Sequence, residues 1–228
     1  KFKKNKNFRI IGMGGSTLGA EAIYQFLDHK IKKKFIFINN LNPTLKNNEK
    51  KIKATNIIIS KSGNTLETIA NSNLLINQKK NIFITENKNS YLKNLATNLK
   101  AEIIDHKNYI GGRYSVLSEV GMLPAEIMGL NEKKFKRLNY LINNRNFLNE
   151  LIKNVSAILN FVKQKKFNSI ILNYDIKSEN LFKWYQQLVA ESLGKKSKGI
   201  LPVISTMPKD NHSLLQLYLD GTKNNFFT

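Results

Sequence analysis

The stretch Asn56-Ile57-Ile58-Ile59-Ser60-Lys61-Ser62-Gly63-Asn64-Thr65-Leu66-Glu67-Thr68 reads, in order, as an apolar strand, a hydroxyl-rich loop around one glycine, and the start of a helix. The Ile run is continuous rather than alternating, the pattern of a strand covered on both faces. Three hydroxyls and a Lys precede the helix. Free N–H groups and the positive dipole end at a helix start favour an anion, so this is the composition of a phosphate cradle without a metal. The order Gly-Lys-Ser/Thr of a nucleotide-binding Walker loop is absent. An ordinary N-cap needs one hydroxyl, and this loop holds more than that role requires.

The same grammar extends on both sides. Short β-branched runs at 8–11, 35–38, 56–60, 81–85 and 102–105 alternate with helical patterns at 18–29, 65–78 and 90–99. Repeated strand–helix–strand units imply an α/β fold: a three-layer, doubly wound parallel sheet. Helical patterns at 116–128 and 132–166 lead away from it. A second α/β unit follows, with strands at 169–174 and 200–205, a helix at 179–193, a helix at 211–220 entered through Asp210, and a strand beginning at Phe226. The expected division is 1–128 for the first domain and 129–228 for linking helices plus an incomplete second unit, with too few strands to bury its own helices.

A second glycine loop, Gly12-Met13-Gly14-Gly15-Ser16, follows the first strand directly. Its glycines allow a ligand close to the backbone. It is not a dinucleotide fingerprint: Thr17 stands where the third Gly belongs, and the strand at 35–38 ends in Asn39 instead of an acid. A bare strand-to-helix turn is the alternative reading. Both loops fall at carboxyl ends of parallel strands, where open α/β sheets collect ligands.

Composition narrows the function classes. The 228 residues carry a net charge of +21, but only four of the 37 basic residues are Arg, and the Lys residues are spread along an Asn- and Ile-rich chain without a basic–aromatic motif. That argues against nucleic-acid binding. No apolar run approaches the roughly 18 residues a membrane span needs. There is no signal-peptide pattern and no cysteine, in keeping with a cytoplasmic protein. The chain opens on Lys1 and closes on an apolar pair, Phe226-Phe227, so a central fragment of a longer protein is expected.

The two loops, and above all Ser60-Lys61-Ser62-Gly63-Asn64-Thr65-Leu66-Glu67-Thr68, resemble the SIS-type phosphosugar-binding domain. That superfamily includes isomerases and non-catalytic sugar-phosphate sensors. The stretch Tyr109-Ile110-Gly111-Gly112-Arg113-Tyr114-Ser115-Val116-Leu117-Ser118 is similar to the signature of the phosphoglucose isomerase family around its Gly-Gly-Arg turn. Physically, two glycines deliver a guanidinium suited to an anionic oxygen; a structural Arg paired with a neighbouring acid is the alternative. Two further stretches resemble the same family in the same order. They are Trp184-Tyr185-Gln186-Gln187-Leu188-Val189-Ala190-Glu191-Ser192-Leu193-Gly194-Lys195 and Met207-Pro208-Lys209-Asp210-Asn211-His212-Ser213-Leu214-Leu215-Gln216-Leu217-Tyr218-Leu219-Asp220-Gly221. Taken alone, a Glu near a helix end is usually solvated and a lone His usually packs or caps.

The resemblance implies interconversion of glucose 6-phosphate and fructose 6-phosphate, without metal or cofactor. His212 would assist ring opening, Glu191 would carry a proton between C1 and C2 through a cis-enediol, and Arg113 would stabilise the enediolate. Ser60, Lys61, Ser62 and Thr65 would hold the phosphate, Gly15 and Ser16 would approach the sugar, and Gln187 would line the pocket. It also implies a homodimer in which His212 serves the partner's site. The family's additional catalytic Lys lies in a C-terminal segment with no counterpart before Thr228, so the 228-residue chain alone is expected to be inactive or weakly active. The competing readings are an isomerase that also accepts mannose 6-phosphate and a non-catalytic sugar-phosphate sensor.

Overall fold

The computed structural model describes residues 2, 4–45, 52–76 and 80–228. They form two compact units, Lys1–Asn131 and Glu132–Thr228.

The first unit is built on five strands, β1 (Asn7–Ile11), β2 (Lys34–Ile38), β3 (Thr55–Ile59), β4 (Asn81–Thr85) and β5 (Glu102–Asp105). All pairings are parallel and the order is β2-β1-β3-β4-β5. The chain leaves β1 toward one edge and returns for β3 on the other side. The topological switch therefore lies between β1 and β3, where ligands bind beyond the strand ends of such sheets.

Burial follows position. Strands β3 and β4 are buried throughout and β1 nearly so, whereas the edge strand β5 is largely exposed. Among the described residues, the helices α1 (Leu18–Phe26), α2 (Leu66–Leu75), α3 (Tyr91–Asn98) and α4 (Glu119–Met128) accompany the sheet. One face of the sheet presents the register-matched row Ile38, Ile11, Ile58 and Phe83 to Leu75 of α2 and to Leu92 and Ala96 of α3. Helices α1 and α4 pack on each other.

Two residues below that row on the same face, β1, β3 and β4 carry Arg9, Asn56 and Asn81 in register. All three are almost fully buried. Asn56 Oδ1 accepts from Arg9 Nη1 (3.3 Å), and Asn56 Nδ2 donates to Asn81 Oδ1 (2.9 Å) and to the Leu75 carbonyl (2.9 Å). The Arg9 guanidinium also donates to the Ile52 carbonyl. A buried charge is tolerated only when paired in this way.

In the second unit β6 (Asn168–Asn173), β7 (Leu201–Thr206) and β8 (Asn225–Phe227) form a parallel sheet in the order β7-β6-β8. Its helices are α5 (Arg145–Lys163), α6 (Glu179–Leu193) and α7 (Leu215–Asp220). Phe161 of α5 stacks on Phe226 of β8 at 5.1 Å, yet none of these three helices contains a fully buried residue.

Every strand lies within one residue of its sequence position, and helix 179–193 is as read. The other helices need correction. The pattern at 132–166 is broken: a 3-10 stretch, Glu132–Asn143, ends at extended Asn144, whose side chain accepts the Phe147 N–H (3.0 Å) and starts α5. The pattern at 116–128 becomes helix only from Glu119, because Ser118 caps it after a 3-10 turn over Gly112–Leu117. Helix 18–29 stops at Phe26 and gives way to a 3-10 turn, Asp28–Lys30. Helix 65–78 leaves helical geometry at Ile76, and residues 77–79 lie outside the described residues. Helix 90–99 shortens to Tyr91–Asn98 with Ser90 as its cap. Helix 211–220 divides into a 3-10 turn, Lys209–His212, and α7.

Replacing Asn56 with Ala would remove three hydrogen bonds at once and leave the Arg9 guanidinium short of a buried acceptor. We expect a loss of about 3 kcal/mol in urea unfolding, against under about 0.5 kcal/mol for an exposed control such as Asn87→Ala.

Candidate functional site

Three loops of the first unit meet at the carboxyl end of its sheet. In the loop after β3, Ser60 is buried; its hydroxyl lies 2.9 Å from Thr65 Oγ1 and accepts the Gly63 N–H at 3.1 Å. Thr65 occupies the N-cap of α2 but makes no side-chain cap bond. Its hydroxyl faces Ser60 instead, at 2.9 Å.

Helix α3 starts differently. The N–H groups of Tyr91 and Leu92 donate to Asn64 Oδ1 (2.9 Å) and to the Gly63 carbonyl (3.0 Å), and Ser90 Oγ accepts from Lys93 (3.4 Å). One helix start is filled by the loop; the other is open to an anion. Gly63 is required twice over. It has φ +67°, and a Cβ there would lie 2.1 Å from Ser90 Oγ. Ser62 is exposed, and its hydroxyl accepts the Asn64 N–H (3.2 Å).

Lys61 does not join the loop hydroxyls. Its Nζ donates to the Asn108 carbonyl at 2.8 Å and lies 3.6 Å from Glu86 Oε1. Glu86 also pairs with Lys88. The Lys88 hydrogen bond is the main reason its carboxyl is held below the usual carboxylate range, with Lys61 adding to the effect against the opposing cost of burial.

The loop after β1 and the Gly-Gly-Arg turn after β5 are in contact. A Cβ on Gly15 would sit 2.3 Å from the Gly112 carbonyl oxygen and 2.7 Å from the Arg113 nitrogen, so only glycine fits. Buried Ser115 stitches the two together: its hydroxyl donates to the Gly112 carbonyl (2.6 Å) and lies 3.4 Å from the Gly15 carbonyl. Arg113, half-buried, stacks its guanidinium on the Tyr114 ring at 4.6 Å. Ser16 is half-buried beside Gly15. The structure thus gathers Gly15, Ser16, Ser60, Thr65 and Arg113 around the carboxyl end of one sheet.

Three contributors escape sequence reading. Ser90 and Asn64 act only through α3, and His106, 2% exposed, faces Glu119 Oε1 at 3.4 Å. The stitch by Ser115 shows in the sequence only as a hydroxyl close to Arg113.

The second unit carries the remaining candidates. Gln187 and Glu191 are one turn apart on α6, with Gln187 Nε2 donating to Glu191 Oε2 at 3.2 Å. Glu191 is exposed, whereas Gln187 Oε1 is buried without a hydrogen-bond partner among the described residues. His212 is exposed at the end of the 3-10 turn after β7. Asp210 orders that turn, accepting from the Thr206 N–H (2.7 Å) and from the hydroxyls of Ser205 (3.2 Å) and Ser213 (3.3 Å). The Thr206 bond is the main cause that lowers the Asp210 carboxyl below its ordinary value.

The family model described as phosphoglucose isomerase matches residues 1–206. This chain belongs to the phosphoglucose isomerase family. Among phosphoglucose isomerase relatives, the glucose-6-phosphate isomerase of Methanocaldococcus jannaschii is 35% identical, across 98% of this chain and 59% of its own length. That of Campylobacter jejuni is 31% identical, across 98% and 60%. The chain therefore spans about 60% of the length of these relatives. A crystal structure of a hypothetical protein from Thermus thermophilus superposes with a TM-score of 0.81 at 24% identity, across 98% of this chain and 59% of that one, and shares its fold. Among the described residues no cluster of His, Asp and Glu could hold a metal ion, and no helix is long and apolar enough to cross a membrane.

The Asp210 turn should respond to acid with a definite sign. A lowered folded-state value means its contribution is complete above the ordinary carboxylate pKa and is lost as pH falls through the lowered value. Amide exchange at Thr206, followed from pH 7 down to about 3, should accelerate over that acid window beyond its intrinsic rate, and Asp210→Ala should show the fast exchange already at neutral pH. A Thr206 amide indifferent to both would contradict the assignment.

Proposed function

We propose that the protein carrying this chain interconverts glucose 6-phosphate and fructose 6-phosphate. One observation carries the reading: in a member of the phosphoglucose isomerase family, the Gly-Gly-Arg turn is seated on Gly15 at the carboxyl end of the sheet whose β3 loop is the hydroxyl-rich segment 60–65. The names of the relatives favour the same activity.

The phosphate binds between Ser60, Ser62 and Thr65 and the uncapped start of α2, where amides and dipole both favour an anion. Lys61 adds positive charge alongside. Gly15 and Ser16 border the sugar. His212 moves a proton between the ring oxygen and the anomeric hydroxyl. Glu191 then takes the proton from C2 of the aldose and returns it at C1 through the cis-enediol, with Gln187, already hydrogen-bonded to Glu191, lining the pocket. Arg113 offers a guanidinium fork, steadied by Tyr114, to the negative oxygen that develops.

Residues 1–128 act as a first SIS-type phosphosugar domain, and 129–228 as linking helices and the beginning of a second. The working protein is a cytoplasmic homodimer in which His212 serves the partner's site.

A coupled assay with fructose 6-phosphate on the full-length gene product tests the activity; no turnover would favour a sugar-phosphate sensor. The same assay started from mannose 6-phosphate asks whether the site also accepts the C2 epimer. Glu191→Gln should reduce kcat by at least about a hundredfold while leaving sugar-phosphate binding nearly intact, because the amide keeps the shape and loses the basicity. Arg113→Lys should lower kcat by about tenfold or more with little change in KM, since an ammonium cannot reproduce the fork. A change confined to KM would make Arg113 a ground-state binder.

A further inference from the structure

Lys61 lies within the phosphate-binding loop, yet its side chain is spent elsewhere. The ammonium is fixed at both ends of a short bridge: 2.8 Å to the Asn108 carbonyl and 3.6 Å to Glu86 Oε1. Glu86 is a firm anchor, since its side chain is only 10% exposed. The backbone repeats the connection, with the Lys61 carbonyl accepting from the Glu86 N–H (3.1 Å) and approached by the Thr85 hydroxyl (3.5 Å).

Asn108 stands three residues before Gly111. Local turns hold the backbone around this stretch, with the Ile110 N–H on the Lys107 carbonyl (3.1 Å) and the Tyr114 N–H on the Gly111 carbonyl (2.9 Å). Tyr109 is 80% exposed, so its ring gives the turn little to rest on. The entry to the Gly-Gly-Arg turn is held by the Lys61 bridge and by buried His106, whose backbone N–H donates to the Thr85 carbonyl (2.9 Å), while its exit takes its position from Ser115 and Gly15. With the Lys61 side chain one-third exposed and the ion pair at 3.6 Å, the pair itself adds little stability, so the value of this bridge lies in placement.

We infer that Lys61 is a positioning residue that ties the phosphate loop to the Gly-Gly-Arg turn and so sets where Arg113 stands, rather than a direct phosphate ligand. The kinetic side of this inference rests on the isomerase reading; the tether itself does not. A phosphate ligand removed should weaken binding, whereas a tether removed should misplace Arg113 and slow the step that needs it.

The test uses the full-length protein with Lys61→Met and Lys61→Arg, steady-state kinetics with fructose 6-phosphate, and amide exchange across residues 106–115. Lys61→Met should lower kcat about tenfold with KM within about twofold, and should speed exchange at Ile110 and Tyr114 while α2 is unaffected. Lys61→Arg, which can still donate to Asn108 and pair with Glu86, should restore most of both. A rise in KM of about tenfold with kcat held and exchange unchanged would overturn the inference and make Lys61 a phosphate ligand. If the wild-type protein shows no isomerisation, the activity reading fails and exchange alone decides: faster at residues 106–115 supports the tether, unchanged refutes it. Should Lys61→Met not fold, Glu86→Gln is judged by the same two measurements.

Discussion

The arrangement in the first unit depends on a contact that no side chain makes. The backbone of Gly15 lies so close to the Gly112 carbonyl and the Arg113 nitrogen that a single methyl group would force the loops apart. Once that approach is allowed, Ser115 can close it with a hydroxyl, and Arg113 leaves the turn at a defined place with its guanidinium over the Tyr114 ring. The sheet contributes the other constraint. Because the strand order reverses between β1 and β3, the glycine loop and the hydroxyl loop come out side by side and not on opposite edges. The start of α2 and the guanidinium at the turn after β5 then belong to one surface.

Much of this was legible because the residues concerned act locally. Continuous Ile runs mark buried parallel strands whatever surrounds them, and the strand positions come out within a residue. Ser60, Gly63 and Thr65 announce a helix start that is more than a cap. The failures share a physical cause. Hydrophobic period cannot distinguish an α-helix from a 3-10 stretch with the same apolar face, so residues 132–143 and 116–117 merge with neighbouring helices in the sequence, and only the caps at Asn144 and Ser118 divide them. The Asp210 turn failed likewise: an acid followed by apolar residues reads as an N-cap, while the carboxylate in fact folds back on Thr206 and Ser205.

Contacts between distant segments were not legible at all. Nothing in the local sequence says that Lys61 reaches Asn108, that Asn64 accepts from α3, or that His106 is enclosed with Glu119. Each depends on which segments the fold brings together, here those that follow β3, β4 and β5. Candidate residues could be named from motifs; their long-range partners could not, because a contact such as Lys61 to Asn108 leaves no mark in either local stretch.

The buried ladder of Arg9, Asn56 and Asn81 has a further consequence for how such a sequence can drift. Three strands contribute one member each, in register, and each member is hydrogen-bonded to the next. Changing one alone leaves a charge or an amide stranded inside the sheet, so no single replacement leads comfortably to an apolar core at this level. The three positions, 47 and 25 residues apart along the chain, form one hereditary character. They are free to vary only together.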